Sequence, residues 1–261
     1  MTEPAAHTVR YEVADRIATI TLDRPARLNA IDAATTAALR AATDRFEYDR
    51  EALVAILTAT GDRAFCAGMD LKAFANGEGP SILEGPGGFA GFTHYPRTKP
   101  FIAAVNGAAL GGGCELVLSC DLIVAAEHAR FGLPEVTRGL FAASGGVLRL
   151  PRLIPRARAL ELLLTGDLID AQTAYGLGLI NKVVPHGQLL KTARDLALRI
   201  GANAPLAVRE TLALARAVFA LPEEQLRARN DAAWARVAAS EDAREGPRAF
   251  AEKRPAVWQE R

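Results

Sequence analysis

Between residues 9 and 22 the apolar positions alternate and then crowd. Val9, Tyr11 and Val13 alternate with polar neighbours, and Ile17 to Leu22 is rich in β-branched and aliphatic residues. The pattern predicts a hairpin that turns at Ala14-Asp15-Arg16. After Arg24-Pro25, Asp32 stands where it can cap a helix. Ala34, Ala37, Ala38 and Ala41 then recur at the spacing of one helix face. The run "ALVAILTATG", ending at Gly61, is apolar throughout, as a strand covered on both faces would be. "FIAAVNG" and "DLIVAA" predict two more buried strands, with the Gly111–Gly113 turn and a helix between them. That order, strand then helix then strand, argues for a parallel βαβ unit with a right-handed crossover.

Residues 73–98 break the pattern. They are dense in Gly and Pro with no clear period, which predicts a long surface loop or a lid. From Ser144 onward the pattern turns helical, with "ARALELLLTG" stopping at Gly166 and "NKVVP" a short strand. Segments 187–200, 205–219 and 222–240 read as helices, the last with Leu226, Ala233, Trp234 and Val237 on one face. No internal sequence repeat is visible. The fold class is α/β, a core over residues 1–195 followed by a helical region over 196–261.

Composition narrows the function classes. The 261 residues are half hydrophobic and 23% charged, enough to bury a large core. A formal charge of +1 gives no electrostatic reason to expect nucleic acid or an anionic membrane as partner. The start, "MTEPAAHTVRYEV", lacks a basic stretch followed by an apolar run, so no secretory leader is expected. No apolar segment reaches 18 residues unbroken, so no membrane span is expected. Cys66, Cys114 and Cys120 have no metal-like spacing and read as reduced, buried thiols of a cytoplasmic protein. No metal and no permanently bound cofactor is expected.

The chemistry concentrates in "NGAALGGGCELVLSCD", residues 106–121. A phosphate loop would need Gly-Lys-Ser/Thr after the glycines, but Cys114-Glu115 stands there, and a carboxylate repels phosphate. The dinucleotide fingerprint is also absent. Two readings remain. Glycines allow close strand–helix packing, with Glu115 a first-turn acid complementing the helix dipole. Alternatively the helix-start N–H groups hold negative charge that develops on a carbonyl oxygen during reaction, and Glu115 handles a proton or water beside it. Glu135, in the Gly/Pro-marked loop after "DLIVAA", tips the balance, because loops at strand carboxyl ends converge on the preceding helix start. Two carboxylates at one dry site can titrate apart, one as acid and one as base. Met69, beside Gly68 in "FCAGMDL", can supply a second backbone donor.

These stretches together resemble the crotonase (enoyl-CoA hydratase/isomerase) superfamily over essentially the whole chain. The matching blocks are "RPARLNA" (24–30), "AFCAGMDL" (64–71), "KPFIAAVNGAALGGGCEL" (99–116), "CDLIVAA" (120–126), "FGLPEV" (131–136) and "FAEKR" (250–254). The resemblance implies a spiral of ββα units with a helical C-terminal region that makes trimers or dimers of trimers. It implies paired oxyanion-hole N–H groups at Met69 and Gly112, and two glutamates acting on water at Glu115 and Glu135. Acyl-CoA, with coenzyme A as part of the substrate, would meet Ala26, Leu28, Ala64, Ala67, Asp70, Leu71 and Lys72, with Phe250 and Lys253 coming from a neighbouring copy. Retention of both glutamates favours hydration of a trans-2-enoyl-CoA to a 3-hydroxyacyl-CoA. A narrower likeness, carried by "GPGGFAG" (85–91), "SGGVLRLP" (144–151) and "EDAREGPRAFAEKR" (241–254), is to the carnitinyl-CoA dehydratase branch. For such a substrate Phe89, Phe92, Tyr95 or Phe141 could face a quaternary ammonium group, or could simply pack. Isomerase and non-catalytic acyl-CoA-binding readings remain as alternatives. The segment 140–146 departs from the common hydratase pattern and bears on substrate identity.

Overall fold

A computed structural model describes residues 8–260. The first seven residues, where no leader was expected, lie outside the described residues. Strands β1 (Val9–Ala14) and β2 (Ile17–Leu22) form the expected antiparallel hairpin, in register from Val9 against Leu22 to Ala14 against Ile17. Asp15 and Arg16 turn it with positive φ. A 3₁₀ turn at Pro25–Arg27 leads to α1 (Ala33–Tyr48), whose Asp32 side chain accepts the Thr35 N–H at 2.8 Å. The alanine face expected of α1 is not its buried face. Leu39, Ala42, Thr43 and Phe46 pack inward, because the two large side chains gain more from burial than alanine methyls do.

Strands β3 (Val54–Ala59), β4 (Ala64–Cys66), β5 (Phe101–Val105), β6 (Ala108–Leu110), β7 (Leu122–Ala126), β8 (Arg130–Gly132), β9 (Ile169–Asp170) and β10 (Lys182–Val184) follow. They divide into a six-stranded sheet, β1-β2-β3-β5-β7-β10, parallel after the hairpin, and a four-stranded sheet, β4-β6-β8-β9. From β3 to β8 each long strand is followed by a three-residue strand of the second sheet, so the chain spirals between the two. The short strands carry too little sequence to show a repeat. The βαβ unit is present: β5 and β7 pair in parallel, with β6 and α4 (Gly112–Ser119) between them.

The apolar strands are covered twice, as expected. On one face lie Leu39, Phe46 and Phe65 with Phe101, whose ring meets Phe46 edge-on at 5.0 Å. On the other, Ile17, Val54, Ile56, Ile102 and Val124 pack against Leu189, Ala193 and Ala197 of the later helix 189–201.

Residues 73–98 are more ordered than a surface loop. They follow on from α2 (Leu71–Ala73) and hold a π turn at Phe74–Glu78, α3 (Gly79–Leu83) and a 3₁₀ turn at Phe89–Gly91. Ile82, Phe89, Ala90 and Phe92 are buried. None of these turns is long enough to set up a hydrophobic period, yet all but the π turn deliver an apolar side chain to the interior. Helices α5 (Gly146–Leu153), α6 (Arg156–Thr165), α7 (Ala171–Gly176), α8 (Leu189–Gly201), α9 (Pro205–Ala217), α10 (Glu223–Ala239) and α11 (Asp242–Glu252) complete the chain. Of the apolar face expected on α10, only Ala233 is buried and Trp234 is 69% exposed, since one chain alone offers α10 little to pack against. Helix α11 went unforeseen because Gly246 and Pro247 interrupt its pattern. Its buried Asp242 and Glu245 accept main-chain N–H groups of Gln259 and Val257, pinning the last residues back onto the fold. Among the described residues no helix is long and apolar enough to cross a membrane, and no cluster of residues could hold a metal ion.

Candidate active site

Where the two sheets diverge, a cavity of about 310 Å³ opens between β4, the start of α4, the 3₁₀ turn Pro134–Arg138 and the segment 140–144. Its walls include Gly68, Met69, Gly112, Glu115 and Glu135, so the four residues singled out for chemistry meet in one place. Two main-chain segments make its floor. Ile31 forms a parallel bridge to Met69 through the bonds Ile31 N–H to Gly68 O and Asp70 N–H to Ile31 O, both 2.8 Å. In that pattern the N–H of Met69 itself points away from Ile31. Gly112 opens α4, so its N–H has no intrahelical acceptor.

Glycine lets these segments close up. A Cβ on Gly68, whose φ is +93°, would lie 3.2 Å from the Gly112 nitrogen. One on Gly113 would stand 2.0 Å from the Cys66 carbonyl oxygen, inside any tolerable contact. The close-packing reading of the triple glycine holds: the contact of α4 with β4 brings the main chain of Met69 and Gly112 to one cavity.

Glu115, in the first turn of α4, is 3% exposed. Its Oε1 accepts the Gly146 N–H at 2.9 Å. Burial and the charge of Glu135 push its carboxyl up to about 7, against the opposing N–H groups of Gly146 and Ser144 and the Arg149 guanidinium. Glu135 sits in the 3₁₀ turn after β8, and burial raises its pKa too, with Arg138 opposing. Its Oε2 is buried without a hydrogen-bond partner. Its Oε1 lies where a Cβ on Gly111 would come within 3.2 Å, so the carboxylate hangs over the α4 start. Glu135 thus adds to the burial that favours the neutral form of Glu115, while burial alone raises Glu135.

The remaining candidates fall into three groups. Ala67 and Leu71 line the cavity. Ala26, Leu28 and Ala64 border it indirectly: Ala67 N–H donates to Leu28 O at 3.0 Å, and Asn29 Nδ2 donates to Ala64 O at 2.8 Å, tying the 24–30 turn to the 64–67 strand. Asp70 caps α2 through the N–H groups of Lys72 and Ala73 and reaches Arg24 at 3.4 Å, while Lys72 is exposed. Phe250, 87% exposed, and Lys253 lie on or just after α11, outside the cavity wall of the single chain. Of the aromatic candidates, Phe89 and Phe141 line the cavity. Phe92 is packed against Phe101 and Arg97, and Tyr95 bonds Asp44, so neither faces it. His94 is exposed. Cys66 and Cys114 are buried, and desolvation raises both thiols, Cys66 to about 12, which leaves them inert.

Sequence reasoning missed the residue that grips Glu115 and several that line the cavity. Gly146 N–H, Phe74, Leu83, Leu110 and Arg138 all belong here. A glycine pair opening a helix, Gly145-Gly146 before α5, was the one signal that could have found the grip.

The geometry agrees with what the chain is similar to. The enoyl-CoA hydratase/isomerase family matches residues 12–261. A carnitinyl-CoA dehydratase of Salmonella typhi is 48% identical over 247 residues, 93% of this chain and 94% of that protein. The crystal structure of an enoyl-CoA hydratase from Mycobacterium tuberculosis H37Rv superposes with a TM-score of 0.94 at 47% identity, covering 98% of this chain and all of that one. A carnitinyl-CoA hydratase from Mycobacterium avium superposes at 0.79 with 44% identity, again over 98% of this chain and all of the other. The chain therefore belongs to the enoyl-CoA hydratase/isomerase family, with the crotonase fold, and is an enzyme of the hydro-lyase type.

Proposed function

We propose that the enzyme adds water across the 2,3 double bond of a trans-2-enoyl-CoA to give a 3-hydroxyacyl-CoA. One observation carries this reading: two burial-shifted carboxylates, Glu115 and Glu135, face the same cavity as the main chain of Met69 and Gly112. The thioester oxygen sits between the N–H groups of Met69 and Gly112. They meet the charge that builds there as C3 becomes electrophilic, and losing one such donor typically costs ~2.7–4 kcal/mol of transition-state stabilisation.

Glu115 orients a water and takes its proton. The Gly146 N–H fixes one of its oxygens and favours the ionised form. Glu135, with a buried oxygen that lacks a partner, delivers a proton at C2. A pair holding one proton between them can perform both halves in a single encounter. The CoA portion enters past Ala26, Leu28, Ala64, Ala67, Leu71 and Lys72, with Asp70 holding the turn. Phe250 and Lys253 reach the site from a neighbouring copy in a trimer or dimer of trimers. The C-terminal helices from residue 196 onward form the assembly surface. No metal or resident cofactor takes part, no nucleic-acid or membrane partner is involved, and the enzyme works in the cytoplasm.

A second reading concerns the head group. The curated relatives are named carnitinyl-CoA dehydratases, and Phe89, Phe141 and Phe74 line the cavity with faces a quaternary ammonium group could use. Arg138, on the same wall, opposes a cation. We assign the apolar enoyl-CoA as the better substrate. Comparing kcat/KM for crotonyl-CoA and crotonobetainyl-CoA tests this: a higher value for crotonyl-CoA is expected, and a clear preference for crotonobetainyl-CoA would reverse the assignment. Tight CoA-ester binding without hydration of any enoyl chain would instead favour a non-catalytic binder.

A further inference from the structure

Glu115 is gripped by a turn, and that turn is itself held. Resting on the reading of Glu115 as the water-activating base, we propose that Arg149 is a positioning residue for it. Its guanidinium fastens the Ser144–Gly146 turn that grips the carboxylate and supplies the cation that the carboxylate faces.

Arg149 lies on α5, three residues past Gly146, and is not part of the cavity wall. Its Nη1 donates to Ser144 O at 3.1 Å and its Nη2 donates to Thr93 O. One fork thus ties the 140–146 segment to the buried Thr93, which is 1% exposed. Thr93 O also lies 3.5 Å from Ser119 Oγ, which donates to the Glu115 carbonyl at 2.6 Å. The grip on the carboxylate and the last turn of α4 therefore share one anchor. Gly145 makes room for it: at φ +111° it has no Cβ, and one built there would meet Arg149 Nη1 at 1.9 Å.

The charge matters as well as the fork. The groups facing Glu115 are Glu135 from the 3₁₀ turn, the N–H groups of Ser144 and Gly146, and Arg149 from α5. Arg149 is the cation among them. Cys114 beside Glu115 is buried and neutral, and Arg138 acts on Glu135. Arg149 itself faces Cys120 and Arg152 besides Glu115, and His94 and Arg97 face it. Removing the guanidinium leaves Glu115 opposite Glu135 with only amide dipoles to stabilise its ionised form. Lysine keeps the charge but cannot span both carbonyls.

The test is the pH dependence of kcat/KM for crotonyl-CoA in the wild type, Arg149→Gln and Arg149→Lys. The acid limb in kcat/KM reports ionisation in the free enzyme. Arg149→Gln should move that limb upward by about half to one pH unit, with KM little changed. Arg149→Lys should leave the limb in place while kcat falls roughly 10- to 100-fold, as a displaced catalytic group does. An Arg149→Gln profile that overlays the wild type overturns the proposal. So does a limb that moves as far with lysine as with glutamine. If Arg149→Gln does not fold, Arg149→Lys decides, and full turnover with an unmoved limb counts against any positioning role. A wild-type profile with no acid limb would overturn the Glu115 reading, and Arg149's role with it. An intact limb indifferent to Arg149 overturns only the latter.

Discussion

At the scale of single residues, Glu115 and Glu135 were legible because their types are wrong for their places. A carboxylate in the first turn of an apolar helix and another in a Gly/Pro loop ask for a reason. What could not be read was how each is held. The Gly146 N–H reaches Glu115 across 31 positions, and no local pattern announces such a bond.

Burial of Glu115 has a measurable thermodynamic consequence. Its folded-state pKa of about 7 lies above the ordinary 4.5, so the folded state holds that proton more tightly than the unfolded chain does. Glu115 then favours folding below pH 4.5, and the contribution is lost as pH rises through 7. Glu115→Gln does not titrate and can still accept from Gly146. The variant should match the wild type near pH 4.5 and become more stable by up to about 3 kcal/mol above pH 7. Denaturant midpoints across pH check this, and a stability difference independent of pH would count against a raised Glu115.

At the scale of elements, strands were read well and helix faces poorly. Continuous apolar runs such as 54–59 admit one interpretation once both faces are covered. Alanine spacing misled on α1, because four methyls at the right period weigh less than Leu39 and Phe46 off that line. The cap was read correctly. Asp32→Ala removes the acceptor for Thr35 N–H and a partner of Arg24 at 2.7 Å, and should cost about 1 kcal/mol or somewhat more in thermal or denaturant unfolding. Contact between α4 and β4 is a sharper dependence. Gly113→Ala would drive a methyl into the Cys66 carbonyl, forcing helix and strand apart. The expected result is lower stability, and in whatever folds, a kcat loss with little change in substrate affinity, since the two N–H donors no longer converge. Unchanged kcat in Gly113→Ala would contradict the role given to that contact.

At the scale of the whole molecule, the spiral between two sheets was not readable from periodicity, since three-residue strands carry no period. It came from the resemblance of ordered blocks. Residues 73–98 were opaque for a related reason: their order lies in short turns, anchored by scattered buried side chains such as Ile82, Phe89 and Phe92. The C-terminal helices leave Val218, Phe219, Trp234 and Phe250 at 53%, 63%, 69% and 87% exposure, a surface that a chain of 27.8 kDa has reason to cover with its own copies. Sedimentation should give a mass three or six times that of the chain, and Trp234→Glu should lower it. A monomer with full activity would remove the neighbouring copy's Phe250 and Lys253 from the site.

The claim beneath all of this is that Glu115 and Glu135 act together on one water beside two main-chain donors. Steady-state hydration of crotonyl-CoA by Glu115→Gln, Glu135→Gln and the double variant, with folding confirmed by circular dichroism, tests it most directly. Each single change should lower kcat by ~10²–10⁴-fold. The double variant should fall little further, because groups that act as a unit do not lose independently. Near-wild-type turnover in either folded single variant would contradict the account.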